Sequence, residues 1–384
     1  MTIPPLGSEC ENQSTSVPPP QKETRTGVRE IIIDWAARIS DFKPTVIGFD
    51  PNRASRGTRN TYDRYASGFD EGKGMSDLIT MDDLTNEEII DILDTAEKLL
   101  PVARGEVYAP LLQGKVLGNL FFENSTRTRM SFEAAMKRLG GDVLNLSSVG
   151  SSVAKGETLY DTMQMVDGYS DIAVIRHPKQ GAAQYSADAV DIPVLNAGDG
   201  AGNHPTQTML DLFTIRQAHG TLEGLNIVLV GDLRYGRTTH SLSHALVRFG
   251  TKLTLVSPES LNMPEEIVGD LRTHGGNVTE SDDLPSMIPE ADVIYMTRIQ
   301  KERFPDEDEY AKVAGIYKMT ADDLKVAKKT MIVMHPLPRV DEIDASVDVT
   351  GHAHYFKQAF NGVPTRMALL CRSLGVKVPK KVGA

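Results

Sequence analysis

Cysteine is nearly missing from this chain of 384 residues: only Cys10 and Cys371 occur, near opposite ends. They draw no disulfide framework, so a reducing, cytoplasmic setting is the expectation. Long apolar runs are missing too. None approaches the roughly 18–20 residues that cross a bilayer, and no membrane partner is expected. There is no basic excess either, since 41 Lys and Arg stand against 52 Asp and Glu, a formal net charge of −11. A general nucleic-acid binder needs a basic stripe against phosphates, so that class is set aside. Small anions stay in play as ligands, because a few arginines can focus a local field against the overall charge. The first 30 residues have no apolar h-region and carry Glu9, Glu11, Glu23 and Glu30. That argues against a secretory leader and against an acid-poor transit peptide.

What is present is ordinary globular composition, 40% hydrophobic and 24% charged, at a length that suggests two domains. Residues 1–27 are polar and rich in proline, with Pro18, Pro19 and Pro20 in a row, and read as a tail. Ile32, Trp35, Ala36 and Ile39 follow one helical face, and residues 45–75 read as an extended connector. Residues 1–75 are thus an N-terminal extension. From Met75 onward the pattern tightens: Thr85 and Glu88 form a capping box ahead of the stripe Ile89, Leu93, Ala96, Leu100. Short β-branched runs at Val116–Phe122, Asp171–Ile175, Asn226–Val230, Leu253–Val256, Asp292–Met296 and Met331–Met334 read as strands buried on both faces. Amphipathic helices intervene, such as Phe132, Ala135, Met136 and Leu139 before Gly140. The alternation predicts an α/β fold of two domains, each a parallel sheet flanked by helices. The expected domains are residues 76–210, completed by a C-terminal helix over 355–376, and residues 220–350, joined by interdomain helices such as Thr206–Ala218.

Several strand ends carry anion chemistry. After the first strand, Ser125-Thr126-Arg127-Thr128-Arg129 opens a helix, where free N–H groups, hydroxyls and a guanidinium suit a phosphate. The bland alternative is a capping serine followed by a solvated basic turn. Arg176 ends the run Val174-Ile175-Arg176, at the edge where open α/β sheets bind ligands. His204 and Gln207 stand three apart at a helix start and can face one point. Leu225–Gly231 runs into Asp232-Leu233-Arg234-Tyr235-Gly236-Arg237, which invites comparison with a dinucleotide fold, with Glu259 as the ribose acid. Leu233, however, occupies the place of the second glycine that fold needs. In His335-Pro336-Leu337-Pro338-Arg339 two prolines stiffen the backbone and leave its carbonyls as fixed acceptors, and a cis Leu337–Pro338 bond is a candidate.

The Ser125–Arg129 string resembles the carbamoyl-phosphate motif of the transcarbamoylase family. The strings His204-Pro-Thr-Gln207, Gly231-Asp-Leu-Arg-Tyr-Gly-Arg237 and Arg298-Ile-Gln300 resemble its aspartate branch, as does His335-Pro-Leu-Pro338. The ornithine branch commonly has cysteine at the places of Thr206 and Pro336. The resemblance covers roughly residues 76–375 and leaves the first 75 unmatched.

That resemblance implies transfer of a carbamoyl group from carbamoyl phosphate to L-aspartate, the committed step of pyrimidine synthesis, with no cofactor and no metal. It assigns residues 76–210 to the carbamoyl phosphate and 220–350 to aspartate. Ser125, Thr126, Arg127 and Thr128 would grip the phosphate, and Thr128, Arg176 and His204 the carbonyl oxygen. Gln207 and the backbone of Pro336 and Leu337 would accept from the carbamoyl NH₂, with Pro338 also in the carbamoyl phosphate site. Arg237, Arg298 and Gln300 would hold the two carboxylates of aspartate. Ser152 and Lys155, in the Ser-Val-Ala-Lys-Gly-Glu loop, would reach both ligands from a neighbouring subunit, which implies a homotrimer with shared sites. Residues 1–75 leave room for regulatory chains as further partners.

Overall fold

The computed structural model describes residues 76–382 except Val149, residues 300–309, Lys312 and Ala314. The helix expected around Trp35, Cys10 and the candidate Gln300 lie outside the described residues. The first long helix, α1 (Asn86–Arg104), starts as its sequence dictates. The Thr85 hydroxyl accepts from the Glu88 N–H at 3.2 Å and the Glu88 carboxylate accepts from the Thr85 N–H at 2.8 Å. It stops at Gly105, whose φ of 78° supplies the left-handed cap.

Strands and helices then alternate: β1 (Val116–Phe121), α2 (Thr126–Arg138), β2 (Asp142–Ser147), α3 (Leu159–Tyr169), β3 (Ile172–His177), α4 (Ala182–Ala189), β4 (Val194–Asp199). After α5 (Pro205–His219) come β5 (Asn226–Val230), α6 (Arg237–Val247), β6 (Lys252–Val256), α7 (Glu265–Thr273), β7 (Asn277–Ser281), β8 (Val293–Met296) and β9 (Ile332–Met334). The last helix is α8 (Tyr355–Ser373). All pairings between these strands are parallel, in two sheets of order β2-β1-β3-β4 and β7-β6-β5-β8-β9. The expected two-domain α/β architecture is what forms. Strands β2, β4 and β7 were not among the runs singled out in the sequence, and each lies at a sheet edge.

Burial follows the layers. One large apolar core runs from α1 and α2 across β1 and β3 and on through α5 to β5, β6 and β8, with Leu117, Phe132, Phe213, Leu229 and Tyr295 among its members. Smaller cores cover the other face of each sheet. Helix α5, which leads from the first sheet to the second, is buried from Pro205 to Ile215. Helix α8 returns across the molecule to pack on α1, α2 and α5. Its Arg372 pairs with Glu88 at 2.9 Å, tying the two ends of the described chain together. Among the described residues no helix is long and apolar enough to cross a membrane.

This topology sets where ligands can sit. In the first sheet the chain leaves β1 for β2 on one side and later for β3 on the other, so the strand order reverses between β1 and β3. In the second sheet the reversal falls between β5 and β8. At such a point neighbouring loops part and open a crevice beyond the C-terminal strand ends.

Candidate active site

From the first crevice come two elements. Beyond β1, Ser125 caps α2 with extended backbone (φ −159°), yet its side chain makes no capping bond. The hydroxyl is therefore not spent on the helix, and the N–H groups of the first turn lie open beside Thr126 and the buried Thr128. From the end of β3, Arg176 reaches inward. Its NH1 donates to the Ala197 carbonyl at 3.2 Å and its NH2 meets Glu123 at 2.7 Å, while its Nε is buried without a partner. Burial, with Arg237 beside it, lowers Arg176 to about 10, which leaves it charged at neutral pH.

His204 stands just ahead of Pro205, the first residue of α5, and is 3% exposed. Burial holds its imidazole well below the usual value, and the cations Arg176, Arg237 and Arg366 reinforce this. It is neutral at physiological pH, so it can offer an N–H without carrying charge. Three residues on, Gln207 faces the same space.

The second crevice adds the rest. β5 is followed by Gly231, where φ is +114° and a Cβ would lie 2.4 Å from the Thr297 carbonyl oxygen, so only glycine lets β8's exit pass this closely. The turn after it is pinned by Asp232, which accepts from the Tyr235 N–H at 2.9 Å. Helix α6 then begins at Arg237, which crosses to the first domain and meets Glu123 at 3.0 and 3.2 Å. Beyond β8 lie Thr297 and Arg298, and beyond β9 the His335–Pro338 loop, whose Leu337–Pro338 bond is cis. His335 Nδ1 accepts from the Leu337 N–H at 2.8 Å, so its Nε2 carries the proton and donates to Glu342 at 2.6 Å. Burial alone would raise Glu342. Bonds from His335 and from the backbone outweigh it and bring the carboxyl down to about 2.

Both crevices open on one cavity of about 470 Å³. Its wall includes Ser125, Thr126, Arg127 and Thr128, then Arg176, His204 and Gln207, then Arg237, Arg298 and Pro336 to Pro338. Residues from distant parts of the sequence thus share one pocket. Ser152 and Lys155 do not line it; they form a single 3-10 turn between β2 and α3. Sequence reading also passed over several members. Glu123 clasps Arg176 and Arg237, one from each domain. Burial would raise this carboxyl too, but the two guanidiniums hold it below its ordinary value. Arg366 and Gln358 enter the wall from α8. An arginine, an asparagine and a glutamine inside a helix otherwise buried on apolar residues were the signal available for that helix.

A family model described as "Aspartate/ornithine carbamoyltransferase, carbamoyl-P binding domain" matches residues 76–217, and one described as "Aspartate/ornithine carbamoyltransferase, Asp/Orn binding domain" matches residues 223–372. The chain belongs to the aspartate/ornithine carbamoyltransferase family. Among curated proteins, the aspartate carbamoyltransferase catalytic subunit of Archaeoglobus fulgidus is 58% identical over 297 residues, 77% of this chain and 98% of the relative. That of Thermococcus kodakarensis is 55% identical over 301 residues, 78% of this chain and 97% of the relative. Among solved structures, the catalytic subunit of M. jannaschii aspartate transcarbamoylase superposes with a TM-score of 0.74 at 48% identity, covering 78% of this chain and 98% of the other. The Trypanosoma cruzi aspartate transcarbamoylase in complex with carbamoyl phosphate and aspartate gives 0.74 at 42%, covering 78% and 97%. Membership of this carbamoyltransferase family removes the dinucleotide alternative. Leu233, fully buried, fills the place where a dinucleotide fold keeps a glycine.

Proposed function

We propose that this chain is an aspartate carbamoyltransferase, forming N-carbamoyl-L-aspartate and phosphate from carbamoyl phosphate and L-aspartate in the committed step of pyrimidine synthesis. The observation that carries the reading is the meeting of a helix N-terminus with Arg127, Arg176, Arg237 and Arg298 in one cavity. Residues 76–210, with α8, which ends at Ser373 rather than at the expected 376, form the half that takes carbamoyl phosphate, and residues 220–350 the half that takes aspartate.

Ser125, Thr126, Arg127 and Thr128 grip the phosphate with hydroxyls, backbone N–H groups and a bidentate charge. The amine of aspartate attacks the carbamoyl carbon, and the carbonyl oxygen gathers charge as the tetrahedral centre forms. Thr128, Arg176 and neutral His204 donate to that oxygen, in a site where fixed donors need no reorganisation. The unmet Nε of Arg176 supports this role, since a buried donor without a partner suits an incoming acceptor. Gln207 and the carbonyls at Pro336 and Leu337 accept from the carbamoyl NH₂ and fix its plane, with Pro338 beside them in the carbamoyl phosphate site. The C–O bond to phosphate then breaks, and the departing phosphate takes the proton that the amine must lose.

Arg237, Arg298 and Gln300 hold the two carboxylates of aspartate, a planar task that suits guanidinium. Arg237 already meets one carboxylate, that of Glu123, and an aspartate carboxylate offers the same chemistry. Ser152 and Lys155 act on a neighbouring chain's cavity, which makes the working unit a homotrimer; their place off the wall of their own cavity supports this. The enzyme works in the cytoplasm, and regulatory chains remain open to residues 1–75.

A colorimetric ureido assay with carbamoyl phosphate tests the reading, with aspartate and ornithine offered separately. Product with aspartate alone is expected; equal or greater product with ornithine overturns it.

A further inference from the structure

One buried acid next to the cavity has no part in the reaction above. Asp211, on α5, is fully buried. Its Oδ1 accepts from Gln207 Nε2 at 2.9 Å and from Gln358 Nε2 at 2.7 Å, and its Oδ2 accepts from the Tyr295 hydroxyl at 2.8 Å. A carboxylate can only accept, so both amides must turn their NH₂ ends toward it. Each carbonyl end is thereby aimed elsewhere. That of Gln358 accepts from the His335 N–H at 2.8 Å, and Gln207 itself lines the cavity. His335 in turn accepts from the Leu337 N–H, which sets the plane of the loop carrying the Pro336 and Leu337 carbonyls.

We propose that Asp211 is the positioning residue that makes this site choose a carbamoyl donor over an acyl phosphate of the same shape. By taking the NH₂ ends of Gln207 and Gln358, it presents only acceptors to the donor's amino group. The inference rests on the roles given above to Gln207 and the His335–Pro338 loop. Its physical basis is the cost of an unpaired buried group. Acetyl phosphate, with methyl in place of NH₂, leaves every one of those acceptors without a donor, and sites built this way reject such analogues strongly. Burial raises the Asp211 carboxyl to about 7 against the pull of its three donors, so the carboxylate is the form present above neutrality. The charge of Arg366 favours that form.

The test measures binding of carbamoyl phosphate, acetyl phosphate and inorganic phosphate to the full chain and to two variants by calorimetry. Asp211→Leu, of similar size, removes the acceptor that holds both NH₂ ends, so the Gln207 amide is free to turn over. It should weaken carbamoyl phosphate by about ten- to hundredfold, with the other two ligands nearly unchanged and kcat at saturation less affected than KM. Gln358→Met keeps the Asp211–Gln207 contact and cuts the path to His335, so it should lose a smaller part of the preference. Equal weakening of all three ligands, or a preference that survives in whichever variant folds, overturns the inference while leaving the site assignment standing. A wild-type site with no preference for carbamoyl over acetyl phosphate overturns both.

Discussion

The crevice of the first sheet and the crevice of the second follow one topological rule but are furnished differently. Between β1 and β3 the ligand surface is made largely of backbone and short or buried groups: a helix N-terminus, hydroxyls in its first turn, a buried imidazole, and Arg176 held by Ala197 and Glu123. Between β5 and β8 it is made mainly of long side chains, Arg237 at the start of α6 and Arg298 just beyond β8. A planar, reactive donor needs its atoms fixed to a fraction of an ångström, which backbone supplies. A flexible dicarboxylic acceptor needs two anions met at the right separation, which guanidiniums can do by adjusting.

The comparison is broken most severely at Arg176. Arg176→Ala should lower kcat by about 10²–10³, the cost of one oxyanion donor elsewhere, and steady-state rates at saturating substrates would read it. Arg298→Ala should act on the other half alone. The KM for aspartate is expected to rise by about 10–100-fold, with carbamoyl phosphate binding by calorimetry nearly intact; loss of both would erase the division between the halves. Gly198→Ala tests the seam. Its φ is +114°, and a Cβ would come within 3.0 Å of Arg176 and 3.2 Å of Arg237. It should cost about 1–3 kcal/mol in stability and lower kcat/KM for both substrates together, seen by thermal unfolding and kinetics.

The smallest effect is read with protons. Glu342, depressed to about 2, contributes stability that is present above its unfolded value near pH 4.5 and lost as pH falls toward 2. Asp211, raised to about 7, has the opposite sign: it costs stability increasingly as pH climbs from about 4 to 7. Denaturant midpoints followed against pH should therefore flatten below about pH 4.5 in Glu342→Gln and between about pH 4 and 7 in Asp211→Asn.

Legibility in the sequence followed the range of the interactions. The α1 cap, the strands at 116–121 and 226–230, and the Ser125 turn depend on neighbours within a few residues, and all could be read. Strands β2 and β7 could not, because each pairs along one side only and presents polar side chains such as Asn145, Thr279 and Glu280. β4 breaks its apolar run with Asn196, Gly198 and Asp199, which serve the loop that follows. Glu123 stands beside the readable motif, but its meaning comes from Arg237, a partner 114 residues away. Asp211 is one acid within α5; its partners Tyr295 and Gln358 are 84 and 147 residues distant. Only a fold brings such groups together.

The two reversals of strand order share no strand and no loop, though they face one space. A change in the turns that follow β5 and β8 can thus rewrite which amine is taken without disturbing the machinery that activates the donor. One ancestral scaffold could diversify its choice of nucleophile by substitutions confined to a few loop positions, keeping a single phosphate-handling half throughout.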